Sequence, residues 1–196
     1  IMMSESEAKP VSFLEDCAVE LKDLAEYTDK LTAIFDRNGV KGTWYAHASV
    51  GCLHVRPVLN MKQVGGAETM RAIAEEAFEL VRSFGGSHSG EHGDGIVRSE
   101  FNDRMFGPVL PDLFRQVKAM FDPQGMFNPG KITDAPKMDD RELFRFAPGY
   151  EVEDFDSVLD WAAWPGAAGG FQGAVEMCNN NGACRKLSGG VMCPSY

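Results

Sequence analysis

The chain has 196 residues, 44% of them hydrophobic, with 13 Phe and 3 Trp. That suits one domain or one and a half with a packed core, and is too apolar for a wholly disordered chain. Nineteen Lys and Arg against 29 Asp and Glu leave a net charge of -10, which excludes the basic footprint that nucleic-acid binding needs.

No apolar run approaches the ~18 residues of a membrane span. The opening Ile1-Met2-Met3-Ser4-Glu5 has neither the basic nor the apolar region of a secretory leader, as expected of a cut within a longer protein. Of the five cysteines, Cys178, Cys184 and Cys193 crowd the C-terminal end. This odd, one-sided set suggests a metal or cluster site and a reducing, cytoplasmic compartment more than a disulfide framework.

Residues 11–19 are β-prone and free of breakers, which predicts a strand. From Glu20 onward Leu21, Leu24, Leu31 and Phe35 recur near a period of 3.6, and Asn38-Gly39 supplies a helix stop. Residues 42–49 and 52–59 predict two strands about a turn at Val50-Gly51. A second amphipathic helix is predicted over 67–84, with Met70, Ile73, Ala77, Phe78 and Val81 on one side. A short extended piece follows. The order strand, helix, strand, strand, helix, strand defines an α+β fold: a ferredoxin-like βαββαβ antiparallel sheet with both helices on one face.

Beyond it lies a C-terminal helix predicted over 110–121, stopped by Asp122-Pro123, and then an irregular tail. The expected domains are therefore 1–132, an irregular linker over 133–175 with a short helix near 155–161, and the start of another module over 176–196.

The predicted hairpin carries the best-defined chemistry. With a two-residue turn at Val50-Gly51, His47 falls opposite His54 and Tyr45 opposite Arg56. Alternation then puts Tyr45, His47, His54 and Arg56 on one face and Ala46, Ala48, Leu53 and Val55 on the other. Opposed side chains have Cβ atoms ~4.5–5.5 Å apart, close enough for two imidazoles to share an ion. Two solvated histidines on an open face are the plainer reading. The loop Gly90-Glu91-His92-Gly93-Asp94-Gly95 surrounds a Glu-His pair with glycines that let backbone approach a ligand. A carboxylate from this loop and the two hairpin histidines would form a His₂Glu set with an open position, suited to Zn²⁺, with Mn²⁺ or Fe²⁺ as alternatives. Cys17 and Cys52 are expected to be small buried apolar residues.

The paired histidines, the Glu91-His92-Gly93 loop and Phe121-Asp122-Pro123-Gln124-Gly125-Met126-Phe127-Asn128-Pro129-Gly130-Lys131 together resemble the C-terminal part of FAD-linked oxidases of the vanillyl-alcohol oxidase type. The nearest branch is the flavin dehydrogenases of D-2-hydroxy acids: D-lactate, glycolate and D-2-hydroxyglutarate. The resemblance covers roughly residues 10–132. The family pattern across the hairpin is His-x-x-Asp-Gly-Asn-x-His; here Val50 and Cys52 replace the Asp and Asn, and Arg56 stands where an Asn is frequent.

The resemblance implies a metal held by His47, His54 and Glu91, with His92 against the substrate, where it would act as general base; Arg56, on the same hairpin face, is a candidate carboxylate clamp because its planar fork suits bidentate pairing. An ion pair for Arg56 with a nearby Asp or Glu is the equal alternative. It further implies FAD bound mainly by an absent upstream domain, with Asn128 and Lys131 in the segment that returns to it. Residues 176–196 resemble the start of a ferredoxin-like module, with Cys178, Cys184 and Cys193 as [4Fe-4S] ligands in the longer protein. Asn181 occupies a usual cysteine position, and three thiols cannot complete a Cys₄ set.

The implied reaction is oxidation of a D-2-hydroxy acid by hydride transfer to flavin. Electrons would then pass through iron–sulfur clusters to a carrier such as a quinone, with the protein cytoplasmic or peripheral to the inner membrane. The rival readings are a metal-dependent hydrolase using the same ligand set and a non-catalytic electron-relay or interaction module.

Overall fold

The computed structural model describes residues 6–151, 157–162, 170–176, 178 and 189. Two short strands, β1 (Lys9–Pro10) and β2 (Cys17–Ala18), pair antiparallel with opposite ends of the long strand β4 (Cys52–Leu59). On the other side of β4 lies β3 (Gly42–His47), also antiparallel. Helices α1 (Leu24–Arg37) and α2 (Gly66–Ser83) pack on this sheet and on each other. Tyr27, Leu31, Ile34 and Phe35 of α1 and Met70, Ile73, Ala77 and Phe78 of α2 meet Leu53, Val55 and Leu59 in one core. The result is an α+β fold with an antiparallel sheet.

Several predicted elements change in detail. The strand expected over 11–19 is broken, because Asp16 takes φ 97° between β1 and β2. A non-glycine residue there is strained, and such positions persist where surrounding contacts over-determine them. The last strand of the motif shrinks to a single bridge between Ala18 and Ser87. The first helix opens as a 3-10 turn over Leu21–Asp23, and Leu21 is exposed while Tyr27 takes the buried place. Two short helices follow the glycine-rich loop without having been predicted: α3 (Gly95–Arg98) and α4 (Asn102–Phe106). The C-terminal helix α5 begins one residue earlier than expected, at Val109–Phe121. In the tail, residues 157–162 are not helical and 155–156 lie outside the described residues. A helix α6 (Gly170–Glu176) forms instead, and Lys62 Nζ binds Glu176 Oε2 at 2.5 Å.

The hairpin register is the correction with most bearing on the site. The turn is not two residues but a 3-10 turn over Ala48–Val50 closed by Gly51 at φ 71°. His47 therefore pairs with Cys52 and Tyr45 with His54, a two-residue shift from the predicted pairing. Gly51 is required twice over: its conformation is left-handed, and a Cβ there would sit 2.0 Å from the Val19 carbonyl oxygen.

Candidate functional site

A shift of two residues preserves side-chain parity. Tyr45, His47, Cys52, His54 and Arg56 thus share the face away from the core, as the alternation requires. His47 and His54 become diagonal neighbours, with ring centroids 5.0 Å apart and planes at 88°. His54 is buried at 1% exposure, whereas His47 is exposed.

The glycine-rich loop closes over this face and delivers Glu91 and His92. Glu91 Oε2 lies 3.6 Å from His47 Nε2 and 3.6 Å from His54 Nε2. His92 stacks on His54, with centroids 4.8 Å apart at 12°, and its Nε2 is 4.0 Å from the same Glu91 oxygen. The floor, at His54, is buried, and the mouth, formed by His47, Glu91 and His92, is open to solvent.

What fixes this loop is a buried pair that neither periodicity nor motif spacing singled out, Asp16 and Arg98. The Asp16 carboxylate accepts the Glu91 N–H at 2.8 Å and the His92 N–H at 2.7 Å, and its carbonyl accepts the Gly90 N–H at 2.7 Å. Arg98 stands 3.6 Å from Asp16 Oδ2 and donates to the carbonyls of Glu15, His88 and Gly93. Burial alone would raise the Asp16 pKa; the His92 and Glu91 N–H groups, with the Arg98 guanidinium, outweigh it and hold the carboxyl below its ordinary range. Gly90 passes so close to Asp16 and Cys52 that a Cβ would meet Asp16 O at 3.1 Å and Cys52 Sγ at 3.2 Å. Below the loop His88 is fully buried against Phe78 and Phe106, with Asp94 Oδ1 3.4 Å from its Nε2. Burial lowers its pKa, and the nearby Asp94 carboxylate offsets part of that.

Glu15 is the other residue missed in the sequence, hidden in what reads as an unbroken strand. It is 13% exposed. Its Oε2 binds Arg56 Nε and accepts from Ser12 Oγ at 2.9 Å, and its Oε1 is 3.3 Å from His92 Nδ1. Burial raises the Glu15 pKa, and Arg56 and Ser12 more than reverse it. Arg56, which also contacts Tyr45 Oη at 3.2 Å, is therefore engaged in an ion pair, the alternative that stood beside the carboxylate clamp.

Several groups of three side chains could converge on a cation: His47, His54 and Glu91; Glu15, His54 and His92; Asp16, Cys52 and His54; Asp16, Glu91 and His92. The Cys52 thiol is pushed up to about 12 by burial and the Asp16 carboxylate, so it donates to Asp16 as a thiol and is a poor ligand. Asp16 already spends its oxygens on backbone N–H groups. The first group fits best. Its 3.6 Å separations are too long for hydrogen bonds, yet two ligand atoms ~2.0–2.2 Å from one tetrahedral ion stand ~3.3–3.6 Å apart.

Asn128 and Lys131 are exposed on the loop after α5, with Lys131 Nζ 3.4 Å from Asn128 Oδ1. Asp122 builds that loop by accepting the N–H groups of Met126 and Phe127 at 2.9 Å each while pairing with Lys118. The Lys118 ammonium first, then those N–H groups, holds its carboxyl down at about 2. A depressed carboxyl stabilises the fold above the unfolded pKa of ~3.9 and loses that contribution as pH falls through its folded value. Hydrogen exchange should therefore show the Met126 and Phe127 amides losing protection between about pH 4 and 2. Unchanged protection across that interval would remove Asp122 from this role. Cys178 is exposed, Cys17 and Cys52 are buried, and Cys184 and Cys193 lie outside the described residues.

The antiparallel sheet, the two histidines on its open face and the Glu-His loop across them belong to a known class: the chain is a member of the FAD-linked oxidases. The family model described as "FAD linked oxidases, C-terminal domain" matches residues 2–132. Among individual proteins, the chain is 36% identical over 194 residues to a D-2-hydroxyglutarate dehydrogenase of Pseudomonas putida, covering 98% of this chain and 18% of that protein. The Escherichia coli D-2-hydroxyglutarate dehydrogenase is 35% identical, with 96% of this chain and 18% of the relative covered. A D-lactate dehydrogenase of Archaeoglobus fulgidus is 31% identical over 131 residues, which is 67% of this chain and 29% of the relative. The chain thus spans about a fifth of the length of the D-2-hydroxyglutarate dehydrogenases that match nearly all of it.

Proposed function

We propose that this chain is the substrate cap of a longer flavin-dependent dehydrogenase acting on a D-2-hydroxy acid of the D-2-hydroxyglutarate or D-lactate class. The observation that carries the reading is the convergence of His47, His54 and Glu91 beside His92 in a chain of this family. The first class is favoured by the relatives that align over nearly the whole chain, tail included.

When bound, the flavin supplies an acceptor for the Cα hydride and the ion supplies positive charge beside the substrate hydroxyl. His47, His54 and Glu91 would hold a Zn²⁺ or Mn²⁺ ion with an open position toward the solvent-facing mouth. His92 Nε2 points into that mouth and would take the hydroxyl proton as the 2-oxo acid forms. Arg56, at the edge of the same face, is engaged by Glu15, so its role here is to hold that carboxylate beside His92. Among the described residues no flavin cradle is built; Asn128 and Lys131 would at most touch a flavin held by the rest of the polypeptide. Three cysteines fall short of a Cys₄ set, so the [4Fe-4S] reading for Cys178, Cys184 and Cys193 needs ligands outside this chain, and no step is assigned to a cluster. No helix among the described residues is long and apolar enough to cross a membrane. The enzyme would be cytoplasmic or peripheral to the inner membrane and would hand its electrons to a quinone or another carrier.

In the flavin-loaded longer protein, His92→Ala should lower turnover of the 2-hydroxy acid by roughly 10²–10⁴-fold, the ordinary worth of a positioned general base. Metal content should be unchanged. Full activity in that variant would sink the assignment of His92. Metal-dependent hydrolysis without flavin would replace the dehydrogenase by the hydrolase reading.

A further inference from the structure

We propose that Glu15 is a positioning residue that fixes the tautomer of His92, holding its proton on Nδ1 and leaving Nε2 as the acceptor. This rests on the reading of His92 as general base, but the geometry stands without it. The His92 ring is constrained on two sides. Its face lies on His54, and its Nδ1 edge is 3.3 Å from Glu15 Oε1. Catalytic hydrogen bonds are commonly this long before substrate arrives.

Glu15 itself cannot swing away. Its second oxygen is held by Arg56 Nε and Ser12 Oγ, and the side chain is 13% exposed. An ionised carboxylate only accepts hydrogen bonds, so the group facing it must be an N–H. That places the neutral-imidazole proton on Nδ1 and turns the lone pair at Nε2 toward Glu91 and the open mouth. A buried carboxylate that sets the tautomer and orientation of an imidazole base is a recurrent arrangement in acid–base sites. Here the same carboxylate also holds Arg56, so one side chain sets the geometry of both the base and the cation beside it.

The chemistry of glutamine gives a sharp test. In Glu15→Gln the side-chain shape is kept, but Arg56 and Ser12 both present donors to one end. The amide oxygen must face them, and the NH₂ group then faces His92. It can donate only to an unprotonated Nδ1, so the proton is expected to move to Nε2. Nitrogen-15 correlation spectra of the imidazoles in the metal-free chain, taken at alkaline pH, read this directly. Wild type should show the N–H signal at Nδ1 of His92, and Glu15→Gln should show it at Nε2. Glu15→Asp, which keeps an acceptor one methylene shorter, should leave it at Nδ1.

A wild-type proton on Nε2, or no change in the Gln variant, overturns the proposal. The same switch in both variants would also overturn it, since loss of local structure rather than loss of the acceptor would then be the cause. In the flavin-loaded longer protein the Gln variant should lose roughly 10²–10⁴-fold in turnover, with part recovered by Asp. A tautomer switch in a protein that oxidises no 2-hydroxy acid would keep the role of Glu15 and remove only the reaction assigned above.

Discussion

Zinc or manganese, added at a hundredfold excess over its dissociation constant, is expected to stabilise this chain by about 2.7 kcal/mol, the mass-action worth of a ligand that binds only the folded form. In a chain of this size that is a rise in Tm of roughly 5–10 °C. His54→Ala should abolish the rise. His54 is the informative position because it is buried and its Nε2 is directed at Glu91 Oε2, whereas His47 at the mouth is replaceable by water. Thermal denaturation with and without metal, in both proteins, decides the matter. An identical rise in wild type and His54→Ala would place the ion elsewhere, and no rise in either would leave the histidines structural.

Arg98→Ala should cost about 3–5 kcal/mol of stability by equilibrium urea denaturation. The guanidinium is buried, pairs with Asp16 and gathers the carbonyls of Glu15, His88 and Gly93. Removing it leaves a carboxylate with no countercharge, and carbonyls without partners, in a place water does not reach. The damage should be concentrated on Glu91 and His92, whose N–H groups Asp16 holds. Metal affinity should therefore fall along with stability. A loss under 1 kcal/mol would mean that the loop is held by its glycine turns and by His88 without the charged pair.

The hairpin face was legible because a register shift of two residues leaves alternation unchanged: His47, His54, Tyr45 and Arg56 share one side in the predicted pairing and in the observed one. Register was not, because Ala48, Ser49 and Val50 carry no signal separating a tight turn from a 3-10 turn, and Gly51 serves either. The helices α1 and α2 were readable from core spacing, whereas α3 and α4 were not. The first starts amid glycines and both are too short to show a period, so their helicity comes from packing that Arg98 and Asn102 complete. Glu15 and Asp16 were lost in a predicted strand. Two adjacent acids in an otherwise apolar run were the available signal, since charges rarely enter a sheet core without partners. Those partners, Arg56 forty-one positions on and Arg98 eighty-two positions on, are visible only once the chain is folded.

Helix α5 buries only Pro111, while Val109, Leu113, Val117, Met120 and Phe121 are exposed and Met126 and Phe127 extend the strip. A contiguous apolar strip of this kind attracts its own copies. Opposing that attraction is a net charge of -10 on every molecule. Dissolved salt acts on these two forces in opposite ways, for it screens repulsion between like charges and leaves apolar contact intact. Dilute buffer is therefore expected to keep copies of the chain apart, and added salt to draw them together.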